Sequence, residues 1–478
     1  MSFNSSFLLP DGWRVLTVEQ LVNDGVLDKP LDGNHGGIHP KASDYVDNGV
    51  PFIMASDLEG GQINLSLCKF ISEDQAKGLR KGFSKAGDVL LSHKATIGRT
   101  ALVQKSEFPF VVLTPQVTYY RVKNAALLDP VYLKTYFDSL TFQTILNQWA
   151  GAGSTRAYLG ITGQLKLPII IPPISFQSFL ATQANALDKK IQLNQQINQT
   201  LEQMAQAIFK NWFVDFEPVK AKIAALEAGG SEDDALLAAM QAISGKDSQQ
   251  LTQLQTENPE NYATLRATAE LFPATMQESE LGEIPEGWGC LALDEIARYQ
   301  NGLALQKFRP ENEDNFLPVV KIAQLRKGYA DSDEKASPNI DPRCIIDNGD
   351  VVFSWSGSLI VDIWCGGKGA LNQHLFKVTS EAYPKWLYLL FTKHHLEEFQ
   401  RIAADKAVTM GHIKREHLKS AFCAVPQAQL ISAAGKLLGS VIDKQIELRL
   451  EAVSLSELRD TLLPKLLSGE LSVNQDVD

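Results

Sequence analysis

The chain carries one module twice. Pro10-Asp11-Gly12-Trp13 returns as Pro285-Glu286-Gly287-Trp288, Gly87-Asp88-Val89 as Gly349-Asp350-Val351, and Asp188-Lys189-Lys190-Ile191 as Asp443-Lys444-Gln445-Ile446. The separation of matched residues falls from 275 at Trp13 and Trp288 to 262 at Gly87 and Gly349, 257 at Gln116 and Gln373, and 254 at Thr155 and Thr409. It is then 255 at both Asp188 to Asp443 and Glu202 to Glu457. Matches in one order with slowly drifting spacing mark a tandem duplication. Length variation is confined to the part of each module that precedes its long helix, so the globular parts differ while the helices match.

Size and composition set the outer bounds. A chain of 478 residues with 44% hydrophobic and 21% charged residues is an ordinary globular protein with room for about three structural units. Its cysteines, Cys68, Cys290, Cys344, Cys365 and Cys423, are odd in number, scattered and never spaced C-x-x-C, which predicts a reducing cytosol and no zinc site. Met1 to Leu9 lacks a basic region, and no window approaches the roughly eighteen apolar residues of a membrane span, so a cytoplasmic protein is expected.

The net charge of -11 argues against nonspecific coating of nucleic acid, but it is unevenly held. Residues 1–174 carry 16 Lys and Arg against 15 Asp and Glu, whereas residues 175–282 carry 7 against 14. From Cys68 to Lys105, within the first module, Lys69, Lys77, Arg80, Lys81, Lys85, Lys94, Arg99 and Lys105 face only Glu73, Asp74 and Asp88. That run is either a phosphate-facing stripe or a solvated surface, and charge alone does not choose.

The first globular part runs from Gly12 to about Pro173. Strands are predicted at Pro51 to Ala55, Val89 to Ser92, Val111 to Tyr120 and Leu167 to Ile171, and a helix from Pro130 to Trp149. From Ser175 to about Phe216 the seam Leu180, Ala184, Leu187, Ile191, Leu201, Ala205, Ile208 and Trp212 keeps a 4-3 alternation, with Asn194 and Asn198 in its gaps. Forty such residues make a rod of about 60 Å. The Ala-rich, acidic and Gln-rich stretch Pro218 to Gln277 reads as a helical connector lying on the surface. The second module opens at Leu281-Gly282-Glu283-Ile284-Pro285, with strands at Leu317 to Ile322, Asp350 to Trp355 and Phe376 to Thr379 and a helix from Lys385 to Ala403. After Pro426, Ala434, Leu438, Val441, Leu448, Ala452, Leu455, Leu462 and Leu466 repeat the seam, with Gln445 and Arg459 as polar positions and an end near Pro464 to Gly469.

The expected fold class is therefore a mixed α/β tandem repeat, two globular domains separated by two long antiparallel coiled-coil helices. The divisions are 1–174, a first helix 175–217, an acidic connector 218–282, a second domain 283–424, a second helix 425–470 and a tail 471–478. Helix pattern alone favours a homodimeric coiled coil, but two equal seams in one chain meet at high effective concentration, so an intramolecular antiparallel pair is predicted.

Catalytic motifs are missing. No [DNS]-P-P-[YF] tetrapeptide is present, and Gly151-Ala152-Gly153-Ser154-Thr155 fails G-x-G-x-x-G because Arg156 stands at the third glycine. Gly245-Lys246 lacks the rest of a phosphate loop, and the histidines form no H-E-x-x-H. The chain is read as one that binds and does not catalyse.

This organisation resembles the specificity subunit of type I restriction-modification systems. The resemblance rests on the two Pro-x-Gly-Trp settings, on Gly87 to Ser92 and its echo Gly349 to Ser354, and on Ile169 to Pro173. It rests further on Trp212 to Pro218 and on Leu462-Leu463-Pro464-Lys465-Leu466-Leu467-Ser468-Gly469, and it covers essentially the whole chain. It implies that each α/β module is a target-recognition domain for one half of a split double-stranded DNA sequence, with the helices as the ruler. Recognition surfaces about one duplex turn apart, roughly 34 Å, meet the same side of DNA. It also implies two modification subunits that bring S-adenosylmethionine and methylate adenine at N6, two restriction subunits that use ATP and Mg, and no cofactor or metal in this chain.

No motif of the family assigns base contacts, so the candidates come from chemistry. In the first domain Lys94, Arg99, Arg156 and Tyr158 lie in Gly-bearing turns where the backbone approaches phosphates, and Arg99 or Arg156 suits a guanine edge. Gln116 suits adenine, but its recurrence as Gln373 favours a hydrogen bond within the shared fold. In the second domain the candidates are Lys368, Arg401, Lys406, His412, Lys414, Arg415 and His417, part of which is plain surface. Trp355 and Trp364 are expected in the core. The rival reading is a coiled-coil protein-interaction scaffold without specific DNA binding.

Overall fold

The computed structural model describes residues 9–151, 157–312, 314–405, 411–467 and 470. The chain divides into two compact units, Met1–Leu193 with Ser454–Asp478, and Asn194–Val453.

In the first unit the β-branched and aromatic runs build two small sheets. The first orders the strands Thr96–Leu102, Val89–Lys94, Val117–Tyr120 and Leu31–Asp32, with antiparallel neighbours throughout. The second contains Val50–Ile53 parallel to Val111–Leu113. The single strand expected over Val111 to Tyr120 is thus two strands in two sheets, because Pro115 withholds a donor from the ladder and Gly33 lets the backbone cross there. A Cβ on Gly33 would stand 1.9 Å from the Leu113 carbonyl oxygen. Arg14–Thr17 pairs antiparallel with Pro168–Ile171 and ties the start of the module to the strand that feeds its long helix. The expected helix from Pro130 breaks into Pro130–Asp138 and Leu140–Trp149, since the Ser139 side chain accepts from the Phe142 amide and caps a new start.

The second unit repeats this topology. Its first sheet orders Val361–Ile363, Val351–Ser354, Leu375–Thr379 and Arg298–Asn301, the same sequence of antiparallel neighbours. Leu317–Val320 runs parallel to Gly369–Leu371 in the second sheet, and Gly289–Ala292 pairs with Phe422–Val425 as the feeding strand. The helix expected over Lys385 to Ala403 is again two, Lys385–His394 and Leu396–Asp405.

The long helices are Ile174–Phe213 and Ala428–Leu467. The first stops three residues early because Phe216 turns left-handed at φ 55 and Pro218 follows. The second continues through Pro464 to Leu467. Seam residues Leu180, Ile191, Leu438, Val441 and Leu448 are buried, while Leu187, Leu201, Ile208 and Leu455 are half-buried. The polar seam positions fix the pairing as antiparallel. In the second unit Asn194 donates to Glu451 at 2.7 Å and Gln445 to Glu202 at 3.2 Å. In the first unit Arg459 donates to Asp188 at 2.8 Å.

Two seam expectations need correction. Leu462 and Leu466 are only half-buried, and Leu463 and Leu467, at 5% and 2% exposed, enter the core of the first domain instead. Trp212 leaves the seam for an aromatic cluster, edge-on to Phe272 at 5.7 Å and beside Phe213, which in turn lies 5.9 Å from Trp288. Both departures have one cause: the last turns of each helix close a globular core, where a ring or a leucine removes more apolar area from water than at a coiled-coil seam.

The connector also differs from expectation. Its helices Glu217–Glu227, Glu232–Ser244, Ser248–Glu257 and Pro259–Glu270 do not simply lie on a surface but enclose a core of Leu236, Ala239, Met240, Leu251 and Ala269. Capping by Ser231, Asp247 and Asn258 starts the last three of them. The hairpin Met276–Ser279 with Gly282–Pro285 then opens the second domain. Among the described residues no helix is long and apolar enough to cross a membrane.

Candidate nucleic-acid interface

The first sheet of each domain ends in a hairpin, and the segment after the paired helices returns across that hairpin's first strand. In the first domain the Leu159 amide donates to the His93 carbonyl at 3.0 Å, and the Ala95 amide to the Ala157 carbonyl at 3.2 Å. In the second domain Ile413 donates to Trp355 at 3.0 Å and Gly357 to Gly411 at 2.9 Å. Lys94 bridges Tyr158 and Ser356 bridges His412. The turns agree as well, with Ala95 at φ 65 and Gly357 at φ 66. A left-handed alanine costs roughly 1 kcal/mol, so the backbone geometry is kept in both domains even where the residue does not favour it.

Side chains on this shared backbone are unlike. The first domain presents exposed Lys94 with Nζ 6.0 Å from the ring of Tyr158, itself 50% exposed, over buried His93. The second presents half-buried Trp355, whose ring lies 5.8 Å from His374 and 6.3 Å from His412, with Ser356 hydrogen-bonded to His374 at 2.9 Å. Positions that serve the shared fold keep their character instead: Ser92 and Ser354 are both fully buried, and Leu159 and Ile413 of the returning segment are apolar and buried.

The remaining candidates fall in several places. Arg156 and Lys406 lie outside the described residues. Arg99 is exposed on the hairpin's second strand, but its Nη1 donates to the Ala55 and Ser56 carbonyls at 3.3 and 3.1 Å, so only the rest of its fork can meet a base. Lys368 is exposed in the turn before Gly369–Leu371. Lys414 and Arg415 begin the short helix Arg415–Ser420, and the Arg415 guanidinium donates to the Tyr299 carbonyl at 3.2 Å and lies over Phe376. Arg401 is exposed within Leu396–Asp405, on a different element.

The basic run of the first domain does not fold into one stripe. Lys77 pairs with Glu73 and Asp74 on its own helix, while Lys81 ion-pairs with buried Asp32, on the strand at the opposite end of the first sheet from Thr96–Leu102. The backbone carbonyl of Gln116 accepts from the His93 amide at 2.9 Å, and that of Gln373 from the Trp355 indole at 3.1 Å. Trp364 is fully buried, whereas Trp355 stands at the rim of the site. Sequence reasoning passed over His93, Trp355 and His374 as site residues. The signal that finds them is their place beside matched Ser92 and Ser354, or beside Gln373, with a different residue in each copy.

His93 gives the site a pH-sensitive underside. Burial pushes its imidazole down to about 4. Nδ1 lies 3.1 Å from the Leu159 carbonyl, which can only accept, so Nδ1 carries the proton of a neutral ring. A histidine depressed in this way contributes stability that is present above its ordinary value of about 6.5 and is lost as pH falls toward 4. Urea titrations of the first unit at stepped pH are expected to lose on the order of 3 kcal/mol across that window. His93→Gln should flatten the loss, and an unchanged slope in the variant would assign it to other groups.

Two domains of one topology, sharing a backbone at one edge and differing in the side chains placed on it, define a two-part recognition protein. A profile described as the type I restriction modification DNA specificity domain matches residues 18–203 and 285–433. The chain is 29% identical to the HindI specificity subunit of Haemophilus influenzae over 84% of its own length and 91% of that protein. It is 24% identical to the MjaIX specificity subunit of Methanocaldococcus jannaschii, over 92% and 91%. A crystal structure of the S subunit from M. genitalium aligns over 98% of both chains at 14% identity and TM-score 0.46. The chain belongs to the family of type I restriction-modification specificity subunits, which recognise DNA target sequences and assemble with modification and restriction subunits. The connector lies outside both matched stretches.

Proposed function

We propose that this chain reads a bipartite double-stranded DNA target, one half with each domain, and holds two modification subunits and two restriction subunits on that target. The chain itself makes and breaks no bond. S-adenosylmethionine, ATP and Mg act on the partners, which methylate adenine at N6 and cleave, and the assembly works in the cytoplasm. One observation carries the reading: the backbone at the hairpin and its returning segment is kept in both domains, while Lys94 and Tyr158 are replaced by Ser356 and His412. A fold under selection for stability alone has no reason to hold a strained alanine turn where exposed Lys94 and Tyr158 in one copy answer to buried Ser356 and exposed His412 in the other. Phosphate contacts of the basic candidates would position the protein, and base-edge contacts from the same loops would choose the sequence.

Mapping methylated adenines on genomic fragments incubated with the full complex tests this. One split sequence with a fixed gap is expected, and methylation without sequence preference overturns it. Affinity should fall steeply with salt, because each neutralised phosphate releases about one counterion. Binding indifferent to salt would point instead to a protein-interaction scaffold.

A further inference from the structure

In each domain the hairpin of the candidate interface is wired to the long helices by charge. In the first unit Arg459, on the second long helix, donates to Asp188 on the first at 2.8 Å. Lys134 joins Asp188 at 2.7 Å to Asp138 at 2.8 Å, and Asp138 accepts from Thr100, the residue after Arg99 on the hairpin's second strand. Lys134 is 7% exposed and Thr100 5%, so these two members of the relay are buried, while the Arg459 and Asp138 side chains are 28% and 25% exposed. In the second unit Arg449, again on the second long helix, reaches Asp362 at 2.8 Å and the Ile363 carbonyl at 2.9 Å. Asp362 sits on Val361–Ile363, the strand that occupies the place of Thr96–Leu102 in the repeated topology.

The wiring differs while the endpoints agree. One domain uses a relay of five side chains and the other a single ion pair, yet each connects the second long helix to the same strand of its hairpin. Inherited packing would have kept the same residues after duplication. Neither wiring is a strong means of adding stability, since desolvation offsets much of the attraction at buried Lys134 and solvent screens the part-exposed pair of Arg449 and Asp362, whereas the directional geometry of each selects one arrangement. We propose that Lys134 and Arg449 are positioning residues that lock each hairpin at a set angle to its helices, so that the complex accepts one gap between the two half-sites and rejects gaps one base pair longer or shorter.

The inference rests on the bipartite reading proposed above, and the test separates the two. The full complex is assembled with wild-type chain, Lys134→Met, Arg449→Met, and the charge exchange Arg449→Asp with Asp362→Arg. Methylation rates are compared on duplexes that carry the mapped half-sites at the native gap or at a gap changed by one base pair. Each single variant is expected to lose about tenfold of the preference for the native gap, on the scale of one coupled contact, while still methylating the same half-sites. The exchange should recover part of that preference. Wild-type gap preference in both single variants overturns the proposal. So does loss of half-site choice together with gap preference, which is the mark of a damaged fold, and so does a double variant no better than Arg449→Met. A wild-type complex that methylates with no fixed gap overturns the bipartite reading itself, and this inference with it.

Discussion

Replacing residues 12–173 with the corresponding module of another family member is expected to change one half of the methylated sequence and leave the other half untouched. The domain is closed enough for such an exchange. Its start and end are paired with each other, Arg14 opposite Ile171, so the graft enters and leaves at adjacent points. The demand on the graft is a core fit, because Leu180, Ala181, Ala184, Leu463 and Leu467 of the two helices pack among Val18, Leu21 and Ile169 to Ile171. A donor module keeps that contact if it supplies apolar residues of similar volume. Sequencing of modified adenines reads the result. A change in both halves would show that the domains do not read independently, and no change would place recognition outside residues 12–173.

Phe213→Ala should cost the second unit about 3 to 5 kcal/mol, the usual range for truncating a fully buried aromatic ring. Phe213 is 1% exposed, and its ring lies 5.4 Å from Phe209, 5.7 Å from Trp386 and 5.9 Å from Trp288. The cluster joins the last turn of the first long helix to both the start of the second domain and its helix Lys385–His394. Urea unfolding followed by tryptophan emission measures the loss, since Trp212, Trp288 and Trp386 line the same cluster. A drop below about 1 kcal/mol would mean that the cluster relaxes around the void. Tyr158→Ala is the contrasting case: at 50% exposed it should leave stability within about 0.5 kcal/mol.

Much of the architecture is legible in the residues. Periodicity over forty residues averages out local exceptions, so both long helices follow from their seam residues, and their antiparallel pairing from two equal seams joined in one chain. The duplication is legible too, because matched motifs report relatedness without any knowledge of packing. The breaks are less so. Ser139 ends one helix and begins the next through a single side-chain hydrogen bond, a choice of about 1 kcal/mol that pattern does not register. The seam's last turns were misplaced by one residue, since Leu463 and Leu467 answer to the core of a domain begun more than four hundred residues earlier.

What the amino-acid order determined alone is the repetition, the helical rods and the absence of any familiar catalytic signature, all properties of local spacing. Tertiary structure decided which residues share the interface. It tied Lys77 to Asp74 and Lys81 to Asp32, spent part of the Arg99 fork on the Ala55 and Ser56 carbonyls, and brought Tyr158 to Lys94 and His412 to Ser356. The physical reason is one of range. Helix periodicity and turn preference act over a few residues, while the hairpin and its returning segment meet only after two sheets and two helices have packed, and no local propensity encodes that meeting.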